Sequence, residues 1–394
     1  MNRSREIKFR RVAPKIRSDE PVVVELWVRA GGRCEFHGCN KYLLQDELTT
    51  NRVKLAHIGH IVARSRDGPR GDDPLPITKR NKIDNLILLC TKCHKLIDDK
   101  KLEKQYTKEI LQGYKKEHEN RIKFLSSFGQ EYETVVIRML SKIKGYPVSI
   151  SHEEIRKAVL GCAGRYPRYL GAENNIEINL TGLPLKINKS YWKTGTIKID
   201  EIFNRHIIPA IDEKRIKHMS VFALAHIPFL IYLGYSLGDK VPTSFYQKHH
   251  TGSETWVWHK TGNLIRFKDT LLRKGKDDSK IAVILSISGK ISSVQLPPTI
   301  NSDFTVYEIT PEDVTPNRNI LLLEKTLNEF SYSYQNLLRK IEKSYRNVRK
   351  IHLFPAVPIA AAIVCGRELM RNVSPSILIY DKTKRGYKPT MEVN

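Results

Sequence analysis

Asp84-Asn85-Leu86-Ile87-Leu88-Leu89-Cys90-Thr91-Lys92-Cys93-His94 is the stretch on which the reading of this chain turns. Its apolar run fits a buried strand, and the residues from Thr91 onward, Cys93-His94-Lys95-Leu96-Ile97, fit a helix. At the junction stands Cys90-x2-Cys93-His94, and far upstream stands a second pair, Cys34-x4-Cys39. Two short loops of this kind bring four sulfurs to one ion, so Cys34, Cys39, Cys90 and Cys93 are expected to hold a structural Zn²⁺. Outward again, Lys54 to Ala63 alternates as a strand with His57 and His60 near its end, and Arg64 to Gly71 turns the chain. A thiolate site needs neither those histidines nor Asn85 and His94, and the surplus points to an enzyme. His37, inside the first cysteine pair, reads as a loop residue.

The chain of 394 residues is long enough for two or three cores. No apolar run approaches the roughly 18 residues of a membrane span, and the basic start lacks the apolar segment of a secretory signal. Cys162 and Cys365 lie apart in apolar surroundings as thiols, so a reducing cytoplasm is expected. The net charge of +25 attracts polyanions, of which nucleic acid is the commonest in that compartment. Such a field sets affinity, not sequence choice.

Thr107 to Phe128 reads as a helix with Ile110, Leu111, Tyr114, Ile122 and Phe124 inward and lysines outward, capped by Thr107. A second long helix is expected around Ile320 to Tyr345. Between and beyond them runs a weak duplication. Val221 to Pro228 leads into an apolar helix with Gly234-x-x-Leu237, and Ile351 to Pro358 into another with Gly366-x-x-Leu369. Each copy reads as strand, turn, proline at the first helical position, helix and second strand, which favours an α/β fold with a parallel sheet. The two copies would make two Rossmann-like halves, with a ligand where their strand ends meet.

Hairpin, then helix, around a metal resembles the ββα-metal core of HNH endonucleases, over about residues 25 to 100. The motifs that carry the resemblance are His-Ile-x-x-x-Ser and Asn-Leu-x-x-x-Cys-x-x-Cys-His. In that family the first histidine is the general base, the asparagine orients the hairpin, and the last histidine binds a catalytic cation, Mg²⁺ or similar. The resemblance therefore implies His60 or His57 as base, Asn85 as orienting residue and His94 as metal ligand. The family's usual Asp-His pair is missing, since Gly59 precedes His60 and Ala56 precedes His57. The other histidine, Asp84 or Asp67 would replace that carboxylate.

The second half offers Phe245-Tyr246-Gln247-Lys248, then Trp256-Val257-Trp258, as faces for bases. Ser286-Ile287-Ser288-Gly289-Lys290 closes an apolar strand where amides can meet phosphate. Arg165, Tyr166 and Tyr169 form a loop able to close over a ligand. His352-Leu353-Phe354-Pro355-Ala356-Val357-Pro358, with Gly366-Arg367 behind it, completes the set. Together these resemble the SAVED domain, itself similar to two fused CARF-type halves, over about residues 145 to 394; residues 1 to 130 would be the nuclease and its linking helix. The whole resembles the HNH–SAVED effectors of CBASS, the bacterial anti-phage system. The resemblance implies that a cyclic di- or trinucleotide binds the SAVED domain. It also implies a cytoplasmic homo-oligomer, a dimer at rest, that enlarges on activation and cleaves double-stranded DNA. Trp258, Gln247, Ser286, Ser288, His352, Phe354, Pro355 and Pro358 are the candidate pocket residues. Two other readings fit the same residues: a restriction-type HNH nuclease whose second half reads modified DNA, and a zinc-stabilised nucleic-acid-binding regulator without catalysis.

Overall fold

The computed structural model describes residues 12–17, 20–45, 51–52, 55–127, 129, 132–143, 145–168, 176–184, 186–249, 255–371 and 373–393. The chain forms two compact units, Met1–Phe128 and Gly129–Asn394. The second starts upstream of the expected residue 145 because Glu133–Leu140 is an inner strand of its first sheet.

In the first unit, α1 (Pro21–Ala30) opens on proline, whose missing N–H costs nothing in a first turn. It stops at Gly31, whose φ of 60° suits a residue without Cβ. β1 (Ala56–His60) and β2 (Leu86–Cys90) pair antiparallel, Gly59 opposite Ile87 and His60 opposite Leu86. α2 (Thr91–Asp98) follows β2 directly, so the expected order of hairpin and helix is present. Val53 and Lys54, part of the expected first strand, lie outside the described residues. β2 is buried at every position and packs with Leu26, Leu43, Ile61, Ile97 and Leu111.

α3 (Lys108–Ser126) is capped by the Thr107 side chain, which accepts from Ile110 N–H. Its inner face keeps the expected Leu111 and Tyr114 but differs elsewhere. Leu111, Lys115 and His118, at helical spacing, are the buried residues, whereas Ile110 and Phe124 are 38% and 53% exposed. Lys115 tolerates burial because Glu119 lies 2.5 Å away, and His118 bonds the carbonyl of Ala30 at 2.9 Å.

The segment between β1 and β2 has little regular structure, so its carbonyls need other donors. Two buried arginines supply several of them, and Arg70 also ties the segment to the chain after β2. Arg70 donates to the carbonyls of Ile61, Ile97 and Tyr106, and Arg80 to those of Ala63, Gly71, Asp73 and Leu75.

The second unit begins with β3 (Glu133–Leu140), a short hairpin of β4 (Lys142–Ile143) and β5 (Tyr146–Pro147), and α4 (His152–Ala163) behind a Ser151–Glu154 capping box. β6 (Tyr166–Arg168), β7 (Ile176–Asn179), α5 (Lys189–Ile202), α6 (Ile208–Asp212), β8 (Met219–Leu224), α7 (Ile227–Leu237) and β9 (Thr243–Phe245) follow. The first sheet runs β6-β3-β8-β9 with β7 also on β3, all parallel. Then come β10 (Phe267–Arg273), β11 (Lys280–Ser286), β12 (Thr305–Pro311), α8 (Glu324–Ser344), β13 (Lys350–Ala356), α9 (Ile359–Arg367), β14 (Ser376–Thr383) and β15 (Gly386–Val393). This sheet runs β10-β12-β11-β13-β14-β15, with parallel inner strands and antiparallel edges. β8 is buried at every position, as a parallel strand covered on both faces requires.

The duplicated units are β8-α7-β9 and β13-α9-β14, and their helices pack on each other. Pro228 lies in the first turn of α7, but Pro358 is the N-cap of α9. Trp256 and Trp258 lie in irregular chain after the His249–Thr255 bridge, both buried. No helix of the described residues is long and apolar enough to cross a membrane.

Candidate functional site

The first unit places the four motif cysteines in one cluster, their sulfurs all within 4.8 Å of one another. Cys39 Sγ and Cys90 Sγ are 3.9 Å apart. Two sulfurs bound to one tetrahedral Zn²⁺ at about 2.3 Å each are separated by about 3.8 Å, so the set fits that ion. Burial raises the Cys34 thiol to about 12 and also raises that of Cys93, with neighbouring sulfurs adding to the shift. At Cys90 burial is outweighed, and hydrogen bonds from neighbouring groups lower the thiol instead. Thiolates gathered this closely need a cation among them to offset their mutual repulsion. His37 stands outside the cluster, stacked on Tyr114 and 3.3 Å from Glu117.

Beside this cluster lies a cavity of about 490 Å³. β1 brings His60 to it, α2 brings His94 and Asp98, and Lys15, Arg64 and Arg70 complete its charged wall. Asn85, at the foot of β2, accepts from Val62 N–H and donates to the carbonyls of Val62 and Arg80, all at 2.8–2.9 Å. It thereby fixes the chain as it leaves His60. His60 Nε2 is 3.0 Å from Asn81 Oδ1, and burial lowers the proton affinity of the ring. His57 is exposed and does not line the cavity; its Nε2 is 3.1 Å from Thr91 Oγ1 and its ring lies 4.9 Å from that of His94.

His94 Nδ1 and Asp98 Oδ2 are 3.3 Å apart, one helical turn from each other. Two ligand atoms at right angles around Mg²⁺, each at about 2.1 Å, would be about 3.0 Å apart, so this pair suits a hard divalent cation that keeps several waters. Burial lowers the proton affinity of His94, leaving the ring in its ligating form near neutrality. Asp98 escaped the sequence reading, which looked to Asp84 and Asp67; its spacing from His94 was the available signal. Asp67 instead lies 3.5 Å from Ser65 Oγ, and Asp84 sits in a single helical turn before β2.

In the second unit the strands of both sheets end on loops. At the end of β3 and β8, Lys142, Leu180, Leu183, Pro184, Tyr191 and His226 line a cavity of about 240 Å³. His226 is the N-cap residue of α7, with its ring 5.9 Å from Tyr191, and burial lowers its proton affinity. Burial raises the Tyr191 phenol, and the field of Asp381 on β14 adds to it. On the second sheet Ser286 is paired with Ala356, Ser288 N–H donates to the Ala356 carbonyl at 2.8 Å, and α9 starts three residues later.

Residues 199–393 match the family model described as "SMODS-associated and fused to various effectors sensor domain", SAVED. This stretch is a SAVED domain. No curated protein matches the chain. Among solved structures, the Acinetobacter baumannii Cap4 SAVED/CARF-domain containing receptor with the cyclic trinucleotide 2'3'3'-cAAA is similar at 14% identity and a TM-score of 0.42, covering 76% of this chain and 62% of its own. The Moraxella osloensis Cap4 receptor is similar at 14% identity and a TM-score of 0.41, covering 76% and 60%. The chain thus spans under two thirds of the length of either.

Within the SAVED domain the expected pocket residues fall into three groups. Ser286, Ser288, Pro355, Pro358 and Gln247 gather where β11 and β13 end and α9 begins; Gln247 Oε1 accepts from Ala360 N–H at 3.1 Å. Ser286 is fully buried and its hydroxyl donates to Glu308 at 2.5 Å. His352 and Phe354 lie among Phe304, Tyr380 and Tyr387, with His352 Nδ1 2.9 Å from Tyr380 OH. Trp258 is in the core and donates Nε1–H to the carbonyl of Phe245. In the same unit, Tyr166 bonds Glu133, while Tyr169 lies outside the described residues. Tyr191, His226 and Lys142 were not anticipated, although His226 occupies the turn that the duplication marked.

Proposed function

We propose that this chain is a signal-gated, divalent-metal-dependent DNA endonuclease of anti-phage defence, with a ββα nuclease unit ahead of a SAVED sensor for a cyclic di- or trinucleotide. The observation that carries the reading is one cavity with His60 on a strand and His94 and Asp98 on the following helix, in the same chain as a SAVED domain. Neutral near pH 7, His60 takes the proton of the attacking water. Lys15 and Arg64 draw the phosphodiester in, and Asn85 keeps the backbone beside the base in place. A cation held by His94 and Asp98 would offset charge on the phosphate and leaving oxygen. Zn²⁺ on the four cysteines fixes β2 and α2 at their junction. The signal binds at the sheets' strand ends, where Lys142, Tyr191 and His226 offer charge and ring faces, and assembly of a resting dimer into a larger homo-oligomer switches on cleavage.

Plasmid DNA incubated with the protein and Mg²⁺, across a panel of cyclic di- and trinucleotides with a no-ligand lane, tests this. Cleavage with one or two members, abolished in His60→Ala and His94→Ala, is the expected result. Cleavage without ligand would favour the restriction-type reading, and intact DNA in every lane the non-catalytic regulator.

A further inference from the structure

The hydrogen bonds around His60 assign its proton. The carbonyl of Pro14 can only accept, so the Asn81 atom 2.8 Å from it is the amide nitrogen. The oxygen of that amide therefore faces His60 Nε2, at 3.0 Å, and it too can only accept. Nε2 carries the proton, and Nδ1 of the neutral ring keeps its lone pair. Among the described residues none hydrogen-bonds Nδ1. The Pro14 carbonyl is itself held, since Ala13 N–H donates to the carbonyl of Arg64 at 3.2 Å and Val12 bridges Ser65.

We propose that Asn81, anchored on Pro14, is a positioning residue that keeps His60 in the Nε2–H tautomer, so that Nδ1 is the atom that accepts the water's proton. The inference rests on His60 being the base of the nuclease proposed above. Asn81 and Asn85 have separate roles, since one sets the ring and the other the backbone leaving it. The charged and titratable groups sharing the cavity are Lys15 from the N-terminal segment, Arg64 and Arg70 from the loop, and His94 and Asp98 from α2.

The test uses the full chain labelled with ¹⁵N-histidine, with the His60 ring signals assigned by their loss in His60→Gln. The native ring is expected as the Nε2–H tautomer and that of Asn81→Ala as a mixture. In signal-activated cleavage, Asn81→Ala is expected to lower kcat about 10- to 100-fold with KM for DNA unchanged. A native Nδ1–H ring, or an Asn81→Ala protein with ring and kcat unaltered, would overturn the role of Asn81 alone. A ring locked as expected in a protein that never cuts DNA would instead overturn the nuclease reading.

Discussion

Gly234 of α7 and Gly366 of α9 serve the same purpose on opposite sides of one helix crossing. A Cβ on Gly234 would lie 1.8 Å from the carbonyl oxygen of Ile363, and one on Gly366 1.8 Å from that of Ile231. Each glycine meets the residue three before the other glycine, which is the reciprocal contact of a pseudo-two-fold axis. The crossing thus relates the two halves of the second unit and leaves no room for a methyl group. Gly234→Ala and Gly366→Ala are each expected to destabilise that unit by about 1–3 kcal/mol or more. Because both strain one contact, the double variant should lose less than the sum. Denaturant unfolding of the three variants measures this, and an alanine tolerated at either position would contradict it.

The cysteine cluster is expected to hold one zinc per chain. Cys93→Ser should lower metal content measured on the purified protein and remove hydrogen-exchange protection from β2 and α2, whose junction the sulfurs join. Full zinc occupancy in that variant would exclude the assignment.

His60 and Asp98 should fail differently. His60→Ala removes the proposed base and should cost about 10²- to 10⁴-fold in cleavage at any Mg²⁺ concentration. Asp98→Ala removes a ligand, so part of its loss should return as Mg²⁺ is raised. Equal loss at all concentrations would take Asp98 out of the cation site.

The ligand end can be divided by substitution. If the proposed cyclic nucleotide binds at this end, His226→Ala and Tyr191→Phe should weaken its binding, tenfold or more for His226, with thermal stability nearly unchanged. Trp258→Phe should leave affinity intact and cost about 1–3 kcal/mol of stability, since it removes the bond from Nε1 and leaves the Phe245 carbonyl unpaired. Calorimetric titration of the three variants decides between these roles.

His218 carries a pH dependence of folding. Burial, and then Arg165 and Arg367, oppose a charge on it and lower its pKa to about 4, against about 6.5 for a free imidazole. The unfolded chain takes up the proton first as the pH falls. The contribution of neutral His218 is therefore complete above about pH 6.5, declines through the window below it, and is lost by about pH 4, with an upper bound of roughly 3 kcal/mol. Denaturant unfolding at both ends of that window should show a smaller difference for His218→Gln than for the native chain.

Where a candidate site rests on residues close in sequence, its layout could be read before any coordinates. The spacing of Cys90, Cys93 and His94 survives as the strand–helix junction, and Asn85 stands at the start of the returning strand. The duplication around Gly234 and Gly366 marked both strand–helix–strand units, because a glycine at a close crossing recurs in each copy. Residues joined across long loops were hidden. Nothing local links Asn81 to His60, or Tyr191 to His226, since those pairs meet only once sheets and loops have formed. Trp258 misled for another reason: an aromatic next to polar chain looks the same whether it covers a pocket or a core. Lys115 did likewise, its acidic partner being visible at helical spacing but its burial not.

Arg80 lies inside the first unit with a relative exposure of 1% and bonds only carbonyl oxygens. Dipoles rather than counter-ions solvate this cation, and at such short range, away from water, dissolved ions do not reach them. The attraction that the +25 chain exerts on a polyanion acts through solvent and fades as ionic strength rises. Moderate salt therefore separates the two: it releases whatever phosphate backbone the surface has gathered while the loop between β1 and β2 keeps its shape.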